Sequence, residues 1–84
     1  MKTKSGFECE IAKDRLDNME LVDALAELDE NELAVSRVCL LLLGKETRKR
    51  LYDHLRTEDG RVPTADLTAE LSEIMAALGE TGKN

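Results

Sequence analysis

Tryptophan is absent from this chain, and Phe7 and Tyr52 are its only aromatic residues, so any core must be built from Leu, Val, Ile, Met and Ala. There is one histidine, His54, and there are two cysteines, Cys9 and Cys39, set far apart. That supply excludes a zinc site and a CxxC redox pair, since each needs several ligands or thiols at short spacing. The expectation is two reduced, buried thiols, with a single structural disulfide as the alternative. The longest apolar run, Val38 to Leu43, falls far short of the roughly 20 residues that span a bilayer, and no apolar run follows the basic Lys2 and Lys4. A soluble, cytoplasmic protein is expected. Positive charge is also scarce, with 12 Lys and Arg against 18 Asp and Glu and a net charge of −6, which argues against a nucleic-acid-binding domain. No glycine pattern cradles phosphate, and Asp59-Gly60 lacks the oxygen spacing of a calcium loop. No cofactor, no metal and no enzyme is expected.

What remains is a chain of 84 residues, 42% apolar and 36% charged, read as a single domain near the lower size limit for a core without staples. Self-association would help such a domain. Residues 1–5 read as a flexible arm. Phe7, Cys9 and Ile11 alternate with Glu8 and Glu10, which predicts a strand over 7–11. A lone strand cannot satisfy its own backbone, so either the arm folds back as a hairpin through Gly6, or the strand pairs with another copy or another protein.

Four short helices follow, giving a mainly α fold: a small helical bundle preceded by one N-terminal strand. The first is predicted over 17–28, capped by Asp17 with Glu20 in a capping box, with Met19, Val22, Leu25, Ala26 and Leu28 inward and Glu20, Asp23 and Glu27 outward. Asn31 caps a second helix over 32–43 that closes at Gly44. Leu40 to Leu43 surround that helix on every side, so it is either the central core helix or leaves one face for a partner. The third, over 47–56, buries Leu51, Leu55 and Tyr52. The fourth, over 64–78, has Thr64 as cap, an apolar stripe of Leu67, Leu71, Ile74, Met75 and Leu78, and Gly79 as stop, leaving 80–84 as a flexible tail.

Charge is distributed in blocks. Glu8 to Glu32 holds ten carboxylates and two bases, whereas the third helix carries Lys45, Arg48, Lys49, Arg50 and Arg56 against Glu46 and Asp53. The two readings are solvated faces, or a basic helix that docks on an acidic partner or on another copy. A helix-turn-helix made of the second and third helices would place Lys45, Arg48, Lys49 and Arg50 at the start of a recognition helix, which is the alternative reading as a small DNA-binding regulator. Asp53 and His54 are adjacent and so point apart on a helix, which makes them no acid–base dyad.

In order and spacing, Gly6-Phe7-Glu8-x-Glu10-Ile11, Asp17-x-Met19-Glu20-Leu21-Val22-Asp23-Ala24-Leu25-Ala26-Glu27, Leu40-Leu41-Leu42-Leu43-Gly44-Lys45-Glu46 and Leu55-Arg56-x-Glu58-Asp59-Gly60-Arg61-Val62-Pro63 resemble the small tail assembly chaperones of long-tailed bacteriophages and prophages of Gram-positive bacteria. The resemblance runs from Gly6 to Leu78. It implies a cytoplasmic protein of the bacterial host that binds the tape-measure protein, keeps it soluble until tail tube protein polymerises around it, and is absent from the mature virion. The tail tube protein is a second partner implied in this way, and a homo-oligomer is expected. Periodicity offers Val38, Leu41, Leu42 and Leu51 as a partner-facing apolar groove and Arg48, Lys49 and Arg50 as steering charges, with a core role for the leucines as the competing reading.

Overall fold

The computed structural model describes residues 1–82, and among them lie four α-helices: α1 (Met19–Glu30), α2 (Val35–Leu43), α3 (Lys45–Leu55) and α4 (Thr64–Gly82). Short 3-10 turns at Lys13–Arg15 and Glu32–Ala34 precede α1 and α2. Among the described residues, no helix is long and apolar enough to cross a membrane. The chain groups into two compact units, one made of Ile11–Lys49 and the other of Met1–Glu10 together with the chain from Arg50 onward.

In the first unit α1 packs on α2 and on the turn at Glu32–Ala34. The helix starts two residues later than expected, because Asn18, not Asp17, is its cap: Asn18 Oδ1 accepts from Glu20 N at 3.0 Å. Asn31 both closes α1, donating its N–H to Glu27 O at 2.8 Å, and opens the next turn by accepting from Leu33 N at 3.1 Å. One asparagine thus satisfies orphan groups of two elements, which permits a reversal without a longer loop. Leu21 and Ala24 of α1 are buried with Val35, Val38, Cys39, Leu42 and Leu43 of α2. Gly44 separates α2 from α3 with φ 84° and ψ 166°, and its N–H donates to Leu40 O at 2.9 Å. That backbone region is open in practice only to glycine. The next helix therefore begins at once, at Lys45 rather than 47.

In the second unit the alternation of Phe7 and Cys9 with Glu8 and Glu10 does put the first pair inside and the second outside. It does not make a strand. A single antiparallel bridge, Lys2 to Glu8, forms, because the chain reverses tightly at Gly6 (φ 93°) and the pairing stops at Cys9. Residues 1–5 are correspondingly not a loose arm: Thr3 N donates to Phe7 O at 2.9 Å, Cys9 N to Met1 O at 3.1 Å, and Thr3 is buried. The fold-back within the chain is the alternative that the structure adopts. Thr3 Oγ1 donates to the buried carboxylate of Glu70 at 2.8 Å and accepts from Phe7 N at 3.2 Å, so a polar pair inside α4's apolar stripe is satisfied.

α4 buries Leu67, Leu71 and Ile74 as the periodicity predicts, with Met75 and Leu78 half-buried. Pro63, not Thr64, accepts the first helical bond, from Leu67 N at 3.1 Å. Gly79 does not stop the helix, which runs on through Gly82, so the expected tail is helical over 80–82 while 83 and 84 lie outside the described residues. A glycine ends a helix only where the chain takes up a positive φ; kept helical it costs only about 1 kcal/mol relative to alanine. The turn before α4 is closed by Thr57 N to Arg61 O at 2.8 Å, by Arg56 Nη1 to Gly60 O at 2.8 Å and by an Arg61–Asp59 ion pair at 2.9 Å. The Thr57 hydroxyl, donating to Asp59 Oδ1, and Arg61 Nε, donating to its Oδ2, hold the exposed Asp59 carboxyl below its ordinary value.

Two expected outcomes test this packing. A Cβ at Gly44 would come within 2.6 Å of Arg15 Nη2, but that guanidinium end can swing aside, so the backbone sets the cost. Gly44→Ala should lower stability by about 1–3 kcal/mol in urea unfolding, and adding Arg15→Ala should not restore it. The second test concerns the fully buried Cys39, whose thiol burial pushes from 9.0 up to about 11. Between those values the unfolded thiol ionises while the folded one keeps its proton, so the unfolded state binds fewer protons and stability falls as pH rises. Stability curves of wild type and Cys39→Ala should diverge in slope across that window and run parallel below it.

Candidate partner-binding surface

The residues expected to form a partner-facing groove do not share a surface. Val38, Leu42 and Leu51 are each 0% exposed, which assigns them to the core, and Leu41 is half-buried. The core reading therefore holds for three of the four: α2 is so short and apolar that its facing positions are consumed by packing. Leu41, with the partly exposed Leu40, lines an open groove of about 680 Å³ whose other walls include Ala12, Arg15, Gly44 and Lys45. Of the expected steering charges, Arg48 Nη1 lies 3.4 Å from Ser36 Oγ, and Arg50 donates to Glu8 O at 3.4 Å and stands 5.3 Å over the Phe7 ring. Both arginines have partners within the chain. Lys49 is exposed.

An exposed apolar stripe lies instead on α1. Met19 is 68% exposed and Val22 48%, and Ala26 is exposed beside them. At about 100° per residue, Met19, Val22 and Ala26 form one stripe, and Leu21, Ala24, Leu25 and Leu28 form another on the opposite side. The second stripe is the one that is buried or half-buried. The expected inward set mixed members of both. Three leucines outweigh Met, Val and Ala in apolar area, so with α2 in place the leucine stripe gains more from burial. Leu33, in the turn after α1, is 84% exposed.

The charges around α1 fall into two groups. Glu20 and Glu27 lie 3.8 and 4.0 Å from Arg37 of α2, a pair of exposed bridges that contributes on the order of 0–1 kcal/mol. Asp23, Asp29 and Glu30 are exposed, and among the described residues no cation pairs with them. By helical geometry they flank the Met19, Val22 and Ala26 stripe. Asp29 and Glu30 also sit in the last turn of α1, which holds no basic residue, so they add to the negative end of the helix dipole instead of offsetting it.

His54 meets a residue that sequence spacing could not have supplied. Its Nε2 is 3.0 Å from Ser5 Oγ, and its ring centroid is 5.5 Å from that of Phe7. Ser5 Oγ is 3.1 Å from Thr3 Oγ1, which joins His54 through Ser5 and Thr3 to Glu70. A serine and a histidine at this distance are the first requirement of a nucleophile, but activation also needs a third group that orients the ring. Among the described residues no carboxylate is bonded to the other ring nitrogen. Exposed and joined to the reversal at Ser5, His54 serves to hold the N-terminal segment on α3 and α4. Nor do any three His, Cys, Asp or Glu among the described residues converge as a metal site. Burial also raises the Cys9 thiol, partly offset by the amino terminus and Arg50, which leaves it a poor nucleophile.

The two stripes of α1 predict opposite mutational costs. Leu21→Ala should destabilise the chain by about 2–5 kcal/mol. Met19→Ser with Val22→Ser should stay within about 0.5 kcal/mol of wild type per site in the same urea titration. Leu42→Asp, which puts a charge into a dry site, should abolish the folded circular dichroism spectrum altogether. Compared with known proteins, the chain matches no family model, no curated sequence and no solved structure.

Proposed function

We propose that this chain is a binding module, not an enzyme, and that it acts as a tail assembly chaperone that holds the tape-measure protein soluble in the bacterial host's cytoplasm until the tail tube forms around it. The observation that carries this reading is the exposed apolar stripe of Met19, Val22 and Ala26 on α1. A small domain with little apolar material to spare leaves it outside the core, and such an exposed apolar strip on a stable helix is the form that helix-binding surfaces take. A net charge of −6 keeps such a module soluble while its apolar strip is uncovered. The order of segments from Gly6 to Leu78 supplies the resemblance to the chaperone family. The site moves accordingly, from Val38, Leu42 and Leu51 to the outer face of α1.

Self-association belongs to the same proposal, but not by exchange of the N-terminal segment, whose pairing is closed within the chain. The competing reading, a DNA-binding regulator, rests on the single-residue joint at Gly44 and the exposed Lys45 and Lys49 of α3. It has the net charge against it, and Arg48 and Arg50 already serve intrachain contacts.

The test is co-expression of the tagged chain with a tape-measure protein encoded in the same genome. Tape measure should be recovered in the soluble fraction with wild type and lost with Met19→Ser/Val22→Ser. If it stays insoluble with both, the chaperone reading fails. DNA binding that weakens steeply with salt and disappears in Arg48→Glu/Lys49→Glu would then establish the regulator.

A further inference from the structure

We propose that the outer face of α1 takes a cationic amphipathic helix, one whose apolar stripe is edged by Lys or Arg, and that this charge pattern also keeps α1 from pairing with a second copy of itself. The inference deepens the helix-binding reading of the same face and rests on it. Its apolar part is Met19, Val22 and Ala26, a strip about two turns long and matched to the i, i+3, i+7 anchors of a helix laid along it. Its edges are Asp23, Asp29 and Glu30, exposed and without a cation among the described residues. The contrast with Glu20 and Glu27 on the same helix is informative, because those two have Arg37 beside them. Among the described residues a cation stands where α1 meets α2 and none stands on the outer face.

Two physical consequences fix the occupant. Asp29 and Glu30 sit where the α1 dipole is already negative, so the C-terminal half of the face is a concentration of negative potential that a Lys or Arg of a partner would relieve. Two copies of α1 laid face to face would instead bring like carboxylates together at both edges, in either orientation, and that arrangement is repelled. A neutral apolar helix would cover the stripe and strand the carboxylates. Only a basic-edged helix satisfies both parts.

The experiment uses the full chain and two labelled synthetic helices that share one leucine stripe, edged in the first by Lys and in the second by Glu, followed by fluorescence anisotropy. The Lys-edged peptide should bind and the Glu-edged one should not. Met19→Ser/Val22→Ser should weaken binding about tenfold or more, and raising sodium chloride from about 50 to about 500 mM should weaken it further. Asp23→Lys/Glu30→Lys should reverse the preference and bind the Glu-edged peptide. This second variant leaves the apolar stripe intact, so it decides the matter even if the serine variant loses its helical circular dichroism. Equal affinity for the two peptides, or a preference that Asp23→Lys/Glu30→Lys leaves in place, would overturn the proposal. So would a dimer of the wild-type chain that Met19→Ser/Val22→Ser converts to monomer, since the occupant would then be a second copy. Peptide binding without recovery of tape measure would leave this inference standing and remove the chaperone reading. Recovery of tape measure unaffected by Asp23→Lys/Glu30→Lys would do the reverse.

Discussion

α1 carries two apolar stripes and can bury only one of them against α2. The competition is settled by area: Leu21, Leu25 and Leu28 with Ala24 remove more hydrocarbon from water than Met19, Val22 and Ala26 could, at roughly 25 cal/mol for each Å². Once the leucine stripe is inside, much else in that unit is determined. Glu20 and Glu27 are brought beside Arg37, Asp23 is carried outward with Met19 and Val22, and the reversal at Asn31 has to serve both flanking elements at once. A rotation of α1 by a third of a turn would undo each of these together.

The other unit depends on a different kind of constraint. Thr3 is buried, and its hydroxyl bonds at once to the Glu70 carboxylate and to the Phe7 amide. A carboxylate on the apolar side of α4 would be costly without a donor, and the N-terminal segment provides one. Phe7 is buried with a guanidinium over its ring and the His54 ring tilted against it, so the chain's one phenylalanine is the anchor of the reversal. Lys4 N adds a bond to the Glu73 carboxylate at 2.8 Å. These contacts explain why a segment with the composition of a loose arm is ordered.

The charge blocks acquire meaning only from these placements. Basic residues of α3 that looked free in sequence are partly engaged inside the chain, Arg48 with Ser36 and Arg50 with Phe7 and Glu8. The acidic block does not act as one surface either. It is divided between carboxylates facing Arg37 and carboxylates that edge an apolar stripe, and the functional proposal rests on the second group.

Local signals determined the helices of this protein because they act through near neighbours. Gly44 marked a helix end, and Asn31 the start of the 3-10 turn that leads into α2 at Val35 rather than at 32, since a cap and a positive φ are properties of one residue and its adjacent peptide groups. The α4 stripe was legible for the same reason: only one apolar face was available to Leu67, Leu71 and Ile74. Alternation at Phe7 and Cys9 gave the correct inside and outside but not the strand, because a ladder depends on a partner segment and that partner turned out to be a short reversal through Gly6. The identity of α1's outer face was decided only by tertiary structure. Periodicity fixes which residues share a stripe, but two stripes of similar spacing on one helix differ only in how much area their packing removes from water, and that requires α2 to be in place.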